Sequence, residues 1–316
     1  MPSSKVKSLA VVFDAPRQLA LRELALASPG AGDVVVQIAW SSISAGTERL
    51  LWEGRMPVFP GLGYPLVPGY ESVGTVIEAG ADAALAVGTS VFVPGANCYG
   101  EVRGLFGGAA HTVVSPASRV IPVDPALGER ATLLALGATA YHAIRAGAQL
   151  PDLIIGHGVF GRLCARLTRA LGGAPTVWER SPLRMQGAHD YPVLTSDADA
   201  RRDYGCILDA SGDASLLDAL MFRLAKGGEI VLAGFYATPI AFAFPPAFMK
   251  EARLRIAAEW SPGDLASVLD LVRSGSLSLD GLITDVSPAD RAADAYRAAF
   301  DDPSCLKMVL DWRTLS

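Results

Sequence analysis

Leu153-Ile154-Ile155-Gly156-His157-Gly158-Val159-Phe160-Gly161 decides how the second half of this chain is read. A short apolar run enters a G-x-G-x-x-G turn, and a helical pattern follows from Phe160 to Leu171. Leu163, Leu167 and Leu171 share one face of that helix, while Arg162, Arg166 and Arg169 fall elsewhere. Gly172-Gly173 closes it. A second apolar run, Thr176-Val177-Trp178, then ends in Glu179, 23 residues after Gly156. In such a unit Gly156 makes the tight turn, Gly158 lets the backbone approach a pyrophosphate, and Gly161 lets helix pack on strand. An acid at the Glu179 spacing accepts hydrogen bonds from an adenosine ribose. The pattern predicts a dinucleotide site over Gly156, His157, Gly158, Val159, Phe160, Gly161, Glu179 and Arg180. The alternative is a glycine-rich strand-to-helix turn without a ligand.

The rest of the composition bounds the answer. A chain of 316 residues, 51% hydrophobic and 19% charged, is globular and long enough for about two domains. A net charge of −5 argues against nucleic acid as a main partner. Cys98, Cys164, Cys206 and Cys305 lack metal-like spacing and read as reduced, buried thiols. The start, Met1-Pro2-Ser3-Ser4-Lys5, has no signal-peptide core, so a cytoplasmic protein is expected. Ile230 to Met249 carries no charge over 20 positions and imitates a membrane span. Gly234, Pro239, Pro245 and Pro246 interrupt it, and Ile240, Phe242 and Phe244 alternate with alanines. We therefore expect two strands and no transmembrane segment. The second would be a sheet edge against which a second copy of the chain could dock.

In chain order, strand patterns cover Val6 to Phe13, Leu19 to Leu26, Val34 to Ile43, Val73 to Ile77, Thr89 to Val93 and Ala110 to Val114. An Ala/Leu-rich helix from Arg130 to Arg145 leads into alternating strands and helices. Cys206 to Ala210 is a strand ending at Ser211-Gly212, Ala214 to Ala225 a helix, and Glu229 to Ala233 a strand before Gly234. Alternation predicts a parallel, doubly wound sheet with ligands at the strands' C-terminal ends, which adds Ser211 and Gly234 to the cofactor site. Helices at Asp264 to Arg273 and Pro288 to Phe300 and a strand at Cys305 to Leu310 complete the chain. The fold class is α/β. Residues 1–133 and 261–316 form a β-rich domain, and 134–260 the nucleotide domain.

This plan resembles the medium-chain dehydrogenase/reductase superfamily over nearly the whole chain. The most specific residues are Gly69-Tyr70-Glu71-Ser72-Val73-Gly74 followed by Gly80, the spacing of a G-H-E-x-x-G signature with tyrosine in place of histidine. Ser44-Ala45-Gly46-Thr47-Glu48, Gly107-Gly108-Ala109-Ala110-His111, Thr139-Ala140-Tyr141-His142-Ala143 and Leu306-Lys307-Met308-Val309-Leu310 match as well. Ser42-Ile43-Ser44-Ala45-Gly46-Thr47-Glu48-Arg49-Leu50-Leu51-Trp52 is similar to the bacteriochlorophyllide a dehydrogenase family within it. The resemblance implies a GroES-like catalytic domain beside a Rossmann domain. NAD is the expected cofactor because the Glu179 carboxylate repels a 2′-phosphate, with Arg180-Ser181 next door as the feature that could receive one instead. The resemblance also implies a bacteriochlorophyllide-type tetrapyrrole substrate, whose 1-hydroxyethyl group is oxidised to acetyl. Zinc-dependent members take ligands from three positions that here read Ala45, Tyr70 and about Ala135. Those side chains cannot replace thiolate and imidazole, so no metal is expected.

Chemistry without metal still needs a path for the alcohol proton. Thr47 stands where zinc-dependent relatives start a proton relay, and Tyr70 occupies a lost ligand position; these two are the candidate catalytic residues. Thr47 equally fits a turn threonine, and Tyr70 equally fits core filling. Glu71 and His111 read more simply as structural, and His142 as packing. Trp52, Met56, Phe59 and Tyr64 fit a mobile wall for a flat macrocycle, with Arg49 and Arg55 to pair its propionate. Two other readings stay open: a zinc-independent quinone or enone reductase using NADPH, and a nucleotide-binding protein without catalysis.

Overall fold

A computed structural model describes residues 7–58, 60–236 and 238–315. The chain divides into two units, Met1–Ala135 with Ile283–Ser316, and Leu136–Leu282. The division departs from the expected boundary at 260. Helix Pro262–Arg273 belongs to the second unit, where Asp264 accepts from His142 at 3.0 Å and Val268 packs over Gly137. Arg166 ties Ser278 and Asp280 to the same unit.

Among the described residues the first unit holds a four-stranded and a seven-stranded sheet. The long strand Asp33–Ser42 is central, pairing antiparallel with Ser72–Ala79, Thr112–Pro116 and Met308–Asp311. Its alternating apolar residues, Val34, Val36 and Ile38, are buried together with Phe13, Leu51, Leu66, Tyr296 and Trp312. The return segment therefore belongs to this unit by strand pairing with Asp33–Ser42 and by the aromatic face of helix Ala292–Asp301. At Gly69 the backbone adopts φ +98°, and a Cβ would sit 2.6 Å from the Ala109 amide. That close approach locks the Gly69-Tyr70-Glu71 corner against Gly107-Gly108-Ala109.

The second unit has a parallel sheet in the order Val193–Leu194, Thr176–Trp178, Leu153–Ile155, Tyr204–Asp209, Leu224–Leu232, Arg253–Ile256. Numbered along the unit this is 3-2-1-4-5-6, the doubly wound order. Helix Val159–Ala170 buries Leu163 and Leu167, as its leucine face requires. The charge-free stretch departs from expectation. Ile240 to Ala243 forms no strand, and Phe244–Lys250 is a helix with prolines in its first turn. Proline at that point needs no amide partner and presets φ, which outweighs a five-residue alternation. The sheet edge is instead Arg253–Ile256. Among the described residues no helix is long and apolar enough to cross a membrane.

Candidate active site

In the second unit the glycine turn has the geometry a dinucleotide needs. Gly156 sits at φ +94°, and a Cβ on Gly161 would lie 1.9 Å from the Gly156 carbonyl oxygen, so neither tolerates a side chain. A Cβ on Gly158 would meet nothing nearer than the Arg184 guanidinium at 3.8 Å, which leaves its backbone open. Helix Val159–Ala170 starts there, with the unpaired amides of its first turn and a positive dipole end toward the turn. Val159 and Phe160 are half-buried in that turn. Arg184 beside Gly158 was invisible to motif reasoning, because only the fold carries it back over the loop.

Glu179 is placed at the end of its strand, but its carboxylate is already engaged. Oε2 accepts the His157 amide, and Oε1 accepts the amides of Arg180 and Ser181, all at 2.8 Å. With about two acceptor sites on each oxygen, this leaves one on Oε2 for a ribose hydroxyl. Arg180 is exposed beside it. The His157 ring faces away from a ligand: its nitrogens lie 2.7 Å from the Arg184 carbonyl and 3.0 Å from the Tyr191 hydroxyl. Burial lowers its pKa to about 4, so it is a neutral packing residue that offers only backbone. Ser211 donates both its amide and its hydroxyl to Asp209 Oδ1, and Tyr236 donates to Oδ2 at 2.6 Å. Asp209, whose carboxyl burial pushes up, thereby holds the Ser211 turn in place. Gly234 packs so tightly on Gly212 that a Cβ would lie 2.4 Å from its amide. These strand ends fit a dinucleotide: Gly156 to Gly161 would hold the pyrophosphate, and Glu179 the ribose.

The first unit gathers Ser44, Thr47 and Tyr70. Thr47 opens helix Thr47–Glu53, and Tyr70 lies on the corner before strand Ser72–Ala79. The Tyr70 hydroxyl donates to Ser44 Oγ at 2.8 Å, and Thr47 is near enough to favour its ionised form. Its ring, half-exposed, meets Phe106 edge-on at 5.1 Å, while its hydroxyl end is enclosed. Burial of that end raises the phenol well above its ordinary value, so Tyr70 is a hydrogen-bonding group rather than a base. Ala45 has no donor atom, Ala135 is a buried methyl, and no group of three potential ligands gathers among the described residues. This donor set does not fit the zinc that zinc-dependent relatives hold.

Behind these hydroxyls lies a charged cluster that sequence reasoning assigned only in part. Lys307, 3% exposed, donates to Glu71 Oε2 at 2.5 Å, and Ser42 does the same. Glu48, also fully buried, accepts from the Tyr296 hydroxyl at 2.8 Å. Glu48 reads in sequence as an ordinary first-turn acid, and nothing there announces a partner 248 residues away. His111 lies 3.2 Å from Thr112 Oγ1, and His142 caps against Asp264. Arg49 and Arg55 both pair with Glu53, and Arg49 also donates to the Phe300 carbonyl. Trp52, Met56 and Tyr64 pack on the core of the first unit rather than forming a free wall, and Phe59 lies outside the described residues.

A β-rich unit carrying this hydroxyl cluster and a doubly wound unit carrying the glycine turn define a medium-chain dehydrogenase/reductase, an oxidoreductase class acting on alcohols. Residues 30–125 match the alcohol dehydrogenase GroES-like domain. The 2-desacetyl-2-hydroxyethyl bacteriochlorophyllide A dehydrogenase of Rhodobacter capsulatus is 58% identical, with 96% of this chain and 98% of that protein covered. The protein of the same name from Cereibacter sphaeroides is 56% identical over 98% and 99% of the two chains. The chain belongs to this family of bacteriochlorophyllide dehydrogenases. Among solved structures, an Escherichia coli alcohol dehydrogenase complexed with NADH superposes with a TM-score of 0.82 at 21% identity, covering 97% of this chain and 99% of that one. A Sinorhizobium meliloti dehydrogenase bound to NADP gives 0.80 at 19%, covering 97% and 100%. Both likenesses speak to fold.

Proposed function

We propose that this chain oxidises the 1-hydroxyethyl group of a bacteriochlorophyllide to acetyl, with NAD as hydride acceptor, in the cytoplasmic synthesis of bacteriochlorophyll a. The observation that carries the reading is the Tyr70–Ser44 hydroxyl pair, with Tyr70 at a position where zinc-dependent relatives hold a ligand and Thr47 near it, in a chain 58% identical to a named bacteriochlorophyllide dehydrogenase. With its pyrophosphate at the glycine turn, the cofactor would supply the electron sink through its nicotinamide. Thr47 and Tyr70 then hold the alcohol oxygen by hydrogen bonds and pass its proton on, since neither is a base by itself. The carboxylate of Glu179, with one acceptor site left, supports NAD over NADP. Arg180 and Arg184 are the residues that would reverse that preference.

An absorbance assay with the hydroxyethyl pigment tests this. The acetyl product should accumulate with NAD at a higher kcat/KM than with NADP. Turnover of quinones or enones with NADPH, and none of the pigment, would replace this reading with a reductase; cofactor binding without any turnover would replace it with a sensor. We also propose that two copies associate through strand Arg253–Ile256. Ile256 there is 75% exposed, and Phe244, Phe248 and Met249 of the preceding helix are exposed as well. Sedimentation of Ile256→Lys as a monomer, against a wild-type dimer, tests that face.

A further inference from the structure

The loop that follows Glu179 is tied back onto the glycine turn. It runs through the short helix Pro182–Met185 to Tyr191, and side chains of the turn and of the helix after it hold it. The Arg184 carbonyl accepts from Arg162 Nη2 at 3.0 Å and lies 2.7 Å from Nδ1 of the His157 ring. A carbonyl only accepts, so Nδ1 carries the proton of this neutral histidine, and Nε2 accepts from the Tyr191 hydroxyl at 3.0 Å. Arg162 Nε donates to the His157 carbonyl at 3.2 Å as well. His189 covers the far side, stacked on Tyr191 with ring centres 5.4 Å apart and edge-on to His157 at 4.6 Å. A ring set between Gly156 and Gly158 thus fixes the backbone of a residue 27 positions further on.

The fixed loop carries the Arg184 side chain to Gly158, with Nη1 3.8 Å from where a Cβ would lie. Though half-buried, that guanidinium has no hydrogen-bond or ion-pair partner among the described residues. Its surroundings are short of negative charge. Burial pushes the Arg162 guanidinium below its ordinary value; Arg166 and Arg184 add to the fall, while Tyr191 and Glu179 oppose it. Glu179 already accepts three backbone amides. Donors without an acceptor, at a glycine whose backbone is open, suit a phosphate, which a guanidinium fork meets with two parallel hydrogen bonds.

We propose that Arg184 clamps the pyrophosphate of the dinucleotide at Gly158, and that the His157 ring is the positioning residue that holds it there. The inference rests on the dinucleotide reading of the glycine turn. Arg180 stands beside the ribose acceptor Glu179, whereas Arg184 stands at the glycine that admits the pyrophosphate. A fork fixed before the ligand arrives loses less freedom on binding. The ring contacts of His157 with Arg184 and Tyr191 therefore add affinity without touching the cofactor.

Titration of the full chain with NADH, NADPH, ADP and adenosine tests both roles. Nicotinamide fluorescence follows the first two, and competition against NADH the others. Arg184→Ala removes no hydrogen bond or ion pair of the protein, so it should melt no lower than wild type. It should weaken NADH, NADPH and ADP alike by about ten- to a hundredfold, the range of hydrogen bonds to charged groups, and leave adenosine unchanged. Arg184→Lys, a point charge without the fork, should recover only part of the loss. His157→Leu should weaken NADH too, but added to Arg184→Ala it should cost nothing further, because the ring acts through the guanidinium. Tyr191→Phe cuts the same support more gently and should show the same lack of additivity, which keeps the test open if the leucine variant does not fold. Wild-type affinity for NADH and ADP in Arg184→Ala overturns the clamp. A loss confined to NADPH puts the guanidinium on the 2′-phosphate and overturns it as well. Additive losses in the double variants overturn the positioning role of His157. Wild type that binds neither dinucleotide overturns the reading of the glycine turn itself, and the clamp with it.

Discussion

The glycine turn of the second unit and the buried cluster of the first solve opposite problems. Gly156 to Gly161 works by leaving things out: with no Cβ in the way, backbone amides stay open toward a ligand. The Glu48, Glu71 and Lys307 cluster works by putting charges in where water cannot reach. Space for backbone is a local property of the chain. Charge balance in an interior is assembled from residues hundreds of positions apart.

The two regions should therefore break differently. Lys307→Met should have the largest effect, because it strands the Glu71 carboxylate in the interior. Removing one partner of a buried pair costs about 3–5 kcal/mol, read as a lower denaturant midpoint at neutral pH. Gly161→Ala should cost less, roughly 1–3 kcal/mol of overpacking against the Gly156 carbonyl. Its signature is a weaker nicotinamide fluorescence titration, with the first unit's core intact. Thr47→Val deletes one hydroxyl and keeps the shape. We expect kcat to fall by about tenfold or more while cofactor affinity stays near wild type. An undiminished rate would reduce Thr47 to a turn residue and move the test to Tyr70→Phe.

The same contrast explains what was legible in the sequence. The doubly wound sheet and the glycine turn follow from spacing within about 25 residues, where periodicity and turn chemistry act directly. Thr47 could be singled out because it stands at the relay position of zinc-dependent relatives, and Tyr70 because it fills the position of a lost ligand. The bond from Tyr70 to Ser44 could not, since 26 residues separate them and a sheet corner joins them. Phe242 and Phe244 misled because period two in five residues is weaker than proline in a helix's first turn. Glu179 lies between these cases. Its position follows from the motif, but its three amide donors depend on the loop's path.

The central claim is that hydroxyls, rather than a metal, manage the proton during alcohol oxidation. Metal analysis of the active protein, paired with turnover in a strong chelator, tests it most directly. With Ala45, Tyr70 and Ala135 at the three positions, the account predicts no stoichiometric zinc and undiminished oxidation after chelation. One tightly held zinc per chain, with activity lost on its removal and restored by its return, would contradict it.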